Sequence, residues 1–490
     1  MESNPRTAEL LRAGRMDDAI ALLREASQRS PGDAGVWAEL AGALAAANRP
    51  DLALSAWERV VALAPRAAGG HAGRGRALQA LARPAEASAA FERALTLMPE
   101  AHDARFGLAL IAFDSGDLAG AVGHAACLPA GTAADWLLAR IAAASGDFER
   151  VRTILEPLLP GLAEAPRAEA LLLLAQALDR LGQPSNAFAA AMQGKALQHR
   201  LFAARAGGHE GETAKLKRLG AWFAGAPPWL RADTPPPDDI AGHAFLVGFP
   251  RSGTTLLEQA LAAHPQVVTL EEAPTLADAY HEFLAAHGDL EGLARLAGAD
   301  AERWRARYWQ VVRQHGVEPR GRLLLDKAPA GTLNLPIVAR LFPDAKILFA
   351  VRDPRDVVLS CAMNAFQMNS LTYAFTSLGE TAACYVAAMA LARDYRRVLP
   401  LDLREIRYER LVTDFPGELR VIADFLGLTF DPAMANPGAG GRNVRTPSAA
   451  HVRAGVDRRG LDRWRAYAAE LAPVGGVLAD WLEAWGYPAE

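Results

Sequence analysis

Phe245-Leu-Val-Gly-Phe-Pro-Arg-Ser-Gly-Thr-Thr-Leu-Leu-Glu-Gln259 runs from an apolar stretch through a tight Gly/Pro/Ser turn into a helical pattern. It reads as strand, loop and helix. Gly248 and Gly253 stand five apart and Thr254-Thr255 follow, which is the frame Gly-x-x-x-x-Gly-x-Thr of a loop whose backbone N–H groups wrap a phosphate. Where a loop built for a nucleoside triphosphate carries the lysine that reaches the β- and γ-phosphates, this chain has Thr254, and the positive charge sits inside the loop at Arg251. A cradle without that lysine suits a nucleotide that lacks a γ-phosphate.

Downstream, Leu256, Leu257, Ala260 and Leu261 fall at helical spacing until His264-Pro265 ends the pattern. Residues 266–270 then form a short buried strand with Glu271-Glu272 at its carboxyl end, the edge at which open α/β sheets place ligands. A third unit follows, with an apolar run at 322–327 ending in Asp326-Lys327, a helix over 334–342 and a buried strand over 346–351. That strand ends in Arg352-Asp-Pro-Arg-Asp356, and the next helix carries Val357, Val358 and Ser360, so Arg352 and Ser360 can converge on one anion. Residues 401–408 read as a strand with Tyr408 at its end, followed by an amphipathic helix over 416–426 closed by Gly427. The alternation predicts a parallel sheet with helices on both faces.

Upstream, the chain is periodic. Ala19, Ala53, Ala87 and Ala121 step by 34, and Pro31, Pro65 and Pro99 step by 34 in a second series. Gly14, Asn48, Ala82 and Gly116 keep the same step and mark a turn between two helices, while less regular units centre on Gly146-Asp147-Phe148 and Gly182. A unit of this size cannot bury its apolar face alone, so stacked units form one core and a concave surface. Leu40, Leu44, Leu52, Ala53, Ala56, Trp57 and Val60 are the expected core. This half is either a scaffold that stabilises or dimerises the chain, or a groove for a peptide or protein.

Between the two halves, Gly207-Gly208, Pro227-Pro228 and Pro235-Pro236-Pro237 interrupt the pattern as a domain boundary does, with Trp222 and Trp229 expected to pack the joint. The predicted fold is α followed by α/β: an all-helical solenoid over 1–205, a linker over 206–241, and an α/β domain with a central parallel sheet over 242–490. Hydrophobic residues make up 51% of the 490 residues and charged ones 22%, as in a folded protein of more than one domain. A net charge of −4 exerts no general pull on nucleic acid or an anionic membrane. Three widely spaced cysteines, Cys127, Cys361 and Cys384, form no metal or disulfide pattern. With no signal-like start and no long apolar run, the expectation is a cytoplasmic protein without a membrane span.

Pro250-Arg-Ser-Gly-Thr-Thr-Leu256 resembles the 5′-phosphosulfate loop of sulfotransferases that use 3′-phosphoadenosine-5′-phosphosulfate (PAPS), and Val351-Arg-Asp-Pro-Arg-Asp-Val-Val-Leu-Ser360 resembles their 3′-phosphate motif. His264-Pro265 followed by Glu271-Glu272 is most similar to the tyrosylprotein sulfotransferases, and the N-terminal repeats resemble bacterial tetratricopeptide-repeat sulfotransferases. The resemblance implies a P-loop-like α/β fold and an enzyme that moves a sulfuryl group from PAPS to an acceptor hydroxyl, leaving adenosine 3′,5′-bisphosphate (PAP) and requiring no metal. It assigns Arg251, Ser252, Gly253, Thr254 and Thr255 to the 5′-phosphosulfate, and Arg352 and Ser360 to the 3′-phosphate. Tyr408 would lie beside the adenine, and Ser448 and Arg458 in a late loop over the nucleotide. Glu272 would be the catalytic base, with Arg251 and Lys327 stabilising charge on the sulfuryl oxygens and leaving phosphate. Lys327 is followed by Ala-Pro where the tyrosylprotein enzymes have Asp-Pro, and the late loop departs from their pattern. Peptide tyrosine, sugar, lipid and small phenol all remain acceptors on this reading. The rivals are a P-loop kinase or NTPase, and a repeat adaptor with a catalytically dead domain.

Overall fold

The computed structural model describes residues 5–13, 15–129, 131–206, 210–232, 240–436 and 458–489. By their contacts the residues divide into two compact units, Met1–Pro160 and Gly161–Glu490.

In the first unit the two sequence series become two packing devices. Ala19, Ala53, Ala87 and Ala121 are all fully buried, since only a side chain this small lets the neighbouring helix approach at that point. The proline series supplies carbonyls: Trp37 donates to Pro31 (3.1 Å), His71 contacts Pro65 (2.9 Å) and Arg105 donates to Pro99 (2.7 Å), each from six residues on. Each unit is thereby tied to the end of the one before. The expected turns at Asn48, Ala82, Gly116 and Gly146 all have left-handed φ, at 55°, 55°, 83° and 78°. Phe91 fills the space between two helices so closely that a Cβ at Gly75 would lie 2.5 Å from its ring. Of the expected core, Leu40, Leu44, Ala53, Ala56 and Val60 are buried and Trp57 packs against them. Leu52 does not join them and is 38% exposed. It precedes Ala53 by one residue, which turns it about 100° off the packed face of its helix.

The second unit begins with a repeat-like pair of helices, Glu164–Arg180 and Pro184–Ala206, joined at Gly182. The expected boundary at 205 puts this pair with the solenoid, but its contacts are those of the second unit. His199 stacks on Tyr373 (4.7 Å) and contacts Thr376 (2.9 Å), while Asp179 accepts from Tyr467 and pairs with Arg463. The helix Glu212–Gly225 then packs along Leu378–Val398. Phe223 meets Tyr395 at 4.7 Å and Trp229 at 5.8 Å, with Trp222 edge-on to Trp229.

The sheet has five strands, β1 (Gly242–Gly248), β2 (Val267–Glu271), β3 (Leu323–Lys327), β4 (Lys346–Val351) and β5 (Asp402–Arg407). They run parallel in the order β2-β3-β1-β4-β5. β1, β3 and β4 are almost continuously buried because both of their faces are covered. On one face Leu246, Leu323, Leu325 and Leu348 pack against Leu257 and Leu261 of the helix Thr254–Ala262 and Leu419 and Ile422 of the helix Phe415–Leu426. β1 lies between β3 and β4, so the carboxyl ends that carry Lys327, the loop after Gly248, and Arg352 adjoin. The helix expected over 334–342 is a 3₁₀ turn, Pro329–Asn334, followed by Leu335–Leu341, and Tyr408 opens the helix Tyr408–Thr413 rather than ending β5. Among the described residues no helix is long and apolar enough to cross a membrane.

Candidate active site

The loop after β1 keeps its shape through two left-handed residues, Arg251 (φ 74°) and Gly253 (φ 93°). Glycine is needed at 253, where a Cβ would lie 2.5 Å from Cδ2 of Tyr408. Arg251 takes the same backbone region with a full side chain, a strain of the kind found at functional sites. Its Nε donates to Ser360 Oγ (2.8 Å), so the loop and the helix Pro354–Met363 after β4 are joined by two of the expected anion-binding residues. Gly253 caps the helix Thr254–Ala262 without a side chain, and Ser252, Thr254 and Thr255 are buried beside it.

Arg352 sits at the end of β4, 8% exposed. It donates to the carbonyls of Arg251 (3.0 Å) and Gly460 (2.6 Å), lies 3.7 Å from Asp356 and stacks 4.5 Å over the ring of Tyr408. Its Nε is buried and has no hydrogen-bond partner. Arg355 takes the other nearby carboxylate, Asp353, at 2.7 Å. Burial pulls the Arg251 guanidinium down to about 10, with Arg352 and Arg463 adding like-charge repulsion. Burial also lowers Lys195 to about 8 and pushes the Cys361 thiol up to about 12, the thiol partly offset by Arg251, Lys195 and Arg352 around it. This side of the site is a crowd of cations.

On the far side of β1 the balance reverses. Register places Glu271 opposite Lys327 and Thr269 opposite Leu325, on the face covered by the helix Thr254–Ala262. Alternation along a strand would send the next residue, Glu272, to the opposite face. Glu272 instead adopts φ 50°, and its carboxylate returns to the same lysine. Lys327 Nζ, fully buried, lies 2.9 Å from Glu272, 3.1 Å from Glu271 and 3.4 Å from Glu258. Burial opposes the ammonium charge, but Glu258, Glu272 and Glu271 outweigh it and hold the lysine above its usual pKa. Glu258 is pushed up to about 7, chiefly by burial, with Lys327 pulling the other way. Asp326, one residue from Lys327, points to the other face, where Thr275 and Tyr308 each donate to it at 2.9 Å.

The structure thus brings Glu272 and Lys327 together in one cluster and Arg251, Arg352, Ser360 and Tyr408 in another. Arg458 stands apart, its guanidinium donating to the carbonyls of Val412 (3.3 Å) and Thr413 (3.1 Å), and Ser448 lies outside the described residues. His264 is structural: its ring contacts the Thr429 carbonyl and accepts from the Gln266 N–H. Sequence reasoning passed over Glu258, Arg463 and Lys195. A glutamate among the apolar residues of a buried helix was a readable signal for the first; the other two converge only through tertiary packing.

Residues 244–432 match the model of the Sulfotransferase family, and residues 10–82 and 73–127 match Tetratricopeptide repeat models. Glu272, Lys327, Arg352, Ser360 and Tyr408 fall inside the first match. The chain is similar to protein-tyrosine sulfotransferase 2 of Gallus gallus, 29% identical over 198 residues that make up 38% of this chain and 51% of that one. It is similar also to an uncharacterized protein of Aquifex aeolicus (strain VF5), 26% identical over 249 residues, 48% of this chain and 32% of that one. These alignments therefore span about a third to a half of the relatives' own length. Among solved structures, the sulfotransferase domain from the Synechococcus PCC 7002 olefin synthase is 28% identical, with 48% of this chain and 90% of that one covered and a TM-score of 0.34. By these matches the chain is similar to tetratricopeptide repeats over residues 10–127 and to the Sulfotransferase family over residues 244–432.

Proposed function

We propose that the second unit transfers a sulfuryl group from PAPS to an acceptor hydroxyl. The observation that carries this reading is the pairing of two unlike clusters across β1: a carboxylate–lysine group able to move a proton, and an arginine group short of an anion. The residues present suit the donor. Arg352 Nε is buried without a partner, a defect that a phosphate oxygen would repair. Arg352 and Ser360 would hold the 3′-phosphate. Arg251, Ser252, Gly253, Thr254 and Thr255 would hold the 5′-phosphosulfate, with Tyr408 beside the base.

In the reaction the bond between sulfur and the acceptor oxygen forms as the bond between sulfur and the phosphate oxygen breaks, and PAP leaves. Glu272 takes the acceptor's proton. It is the outermost carboxylate, half exposed, and its ion pair with Lys327 must open before it can do so. Lys327 and Arg251 then meet the negative charge that grows on the sulfuryl oxygens and the departing phosphate. The names of the protein-tyrosine sulfotransferases to which the chain is similar, together with its repeats, support a peptide or protein hydroxyl as acceptor. Three unpaired cysteines fit a reducing compartment, and we place the reaction in the cytoplasm.

Calorimetry with the full chain tests the donor. PAP should bind, and adenosine 5′-monophosphate should bind more weakly because it lacks the 3′-phosphate. No heat with PAP, combined with metal-dependent ATP turnover, would replace this reading with a kinase or NTPase.

A further inference from the structure

We infer that Glu258 is a positioning residue of the site: the carboxylate that stays with Lys327 when Glu272 leaves it to take the acceptor's proton. The inference rests on the sulfotransferase reading and adds a residue to it.

Glu258 occupies a buried helix, is 2% exposed, and has apolar Leu257, Ala260 and Leu261 as its neighbours. An unpaired charge there would be severely unfavourable, so the position needs a partner. Lys327 is the cation that the sheet delivers to it. The charged and titratable groups facing Glu258 come from two strands and a loop: Lys327 from β3, Glu271 with the Thr269 hydroxyl from β2, and Glu272 just beyond β2 through Lys327. β1 and the turn Pro432–Ala435, which also pack on this helix, bring no charged group to it.

One ammonium faces three carboxylates, which differ in freedom. Glu272 is 50% exposed and Glu271 24%, whereas Glu258 is sealed. An ammonium has three donors. Two are spent on Glu272 and Glu271, and Glu258 waits at 3.4 Å with its Oε2 lacking a hydrogen bond. When Glu272 turns to the acceptor, the freed donor is available to Glu258 on one side and to a sulfuryl oxygen on the other. Glu258 thus keeps the lysine charged and tethered at the moment its outer partner is lost. Because burial sets Glu258 to titrate near 7, this anchoring is present above neutral pH and is lost below it.

Glu258→Gln keeps the shape and removes the charge. Sulfate transfer from labelled PAPS should fall roughly 100-fold in kcat, the size of effect that misplacing a reacting group produces, while PAP binds as in the parent. In the parent, kcat should rise from pH 6 to 8; in Glu258→Gln that rise should vanish, a change that a purely structural role would not cause. A parent that neither binds PAP nor transfers sulfate refutes the sulfotransferase reading itself. A parent that transfers, beside a Glu258→Gln variant with unchanged kcat and pH profile, refutes only the role of Glu258. Thermal unfolding supplies a measurement that needs no activity. Lys327→Met leaves Glu258 without its cation, so adding Glu258→Gln should raise the melting temperature above that of Lys327→Met alone. A double variant that melts no higher overturns the pairing.

Discussion

The two clusters flanking β1 hold opposite imbalances. Around Lys327 one ammonium serves three carboxylates and is itself satisfied from within the cluster, while Glu258 Oε2 is left without a hydrogen bond. Around Arg352 several cations share few counter-charges, Asp356 at 3.7 Å being the carboxylate nearest Arg352, and a buried guanidinium nitrogen has nothing to bond. A self-satisfied cluster acts by being opened, since each ion pair must break before its members can serve a substrate. An under-compensated cluster acts by being filled, since its like charges repel until an anion arrives. The difference predicts that changes on the first side alter rate, and that a change at Arg352 on the second alters affinity.

The sharpest way to break that division is at Glu272. Glu272→Gln removes the proton acceptor and should cost about 10²- to 10⁴-fold in kcat, with PAP affinity retained. A variant that transfers labelled sulfate as fast as the parent would mean that Glu271 or another group is the base. On the other side, Arg352→Ala should act on binding. Hydrogen bonds to a charged group contribute about 1.5–3 kcal/mol, so PAP should bind roughly 10- to 150-fold more weakly by calorimetry. Adenosine 5′-monophosphate should be scarcely affected. Equal losses for both nucleotides would place Arg352 away from the 3′-phosphate.

The two sides were unequally legible in the sequence. The arginine side announced itself locally, as a Gly-x-x-x-x-Gly-x-Thr frame and an Arg and a Ser eight residues apart, because a helix and a strand end hold such spacings rigidly. The carboxylate side was read only in part. Glu271-Glu272 and Lys327 were visible at two strand ends, but their convergence depends on the register of β2 against β3 and on the left-handed turn at Glu272. Neither is a local property. Glu258 is a third case: the apolar spacing of Leu256, Leu257, Ala260 and Leu261 marks a core helix, and the one charge among them is the readable sign of a buried partner, though not of which partner. The repeats showed the same limit. Their period located the turns at Asn48, Ala82 and Gly116, yet it could not reveal that the pair Glu164–Arg180 and Pro184–Ala206, helical and repeat-like, makes its contacts within the second unit and brings Lys195 there.

The smallest effect expected is at the contact between loop and nucleotide side. Tyr408 is wedged between two glycines, since a Cβ at Gly253 would lie 2.5 Å from its ring and one at Gly460 2.6 Å from its hydroxyl. Arg352 rests on the same ring. Gly253→Ala therefore adds two burdens: a side chain at φ 93°, and a methyl that displaces Tyr408 from beneath Arg352. The backbone part alone should cost roughly 1–2 kcal/mol in thermal unfolding. The steric part should appear as weaker PAP binding, because the guanidinium loses its support. Combining Gly253→Ala with Tyr408→Ala removes the collision but not the left-handed strain. If the glycine acts through Tyr408, its further effect on PAP affinity should be smaller in the Tyr408→Ala background than in the parent, while its stability cost persists. An equal effect on affinity in both backgrounds would mean that Gly253 matters to the anion only through the path of its own backbone.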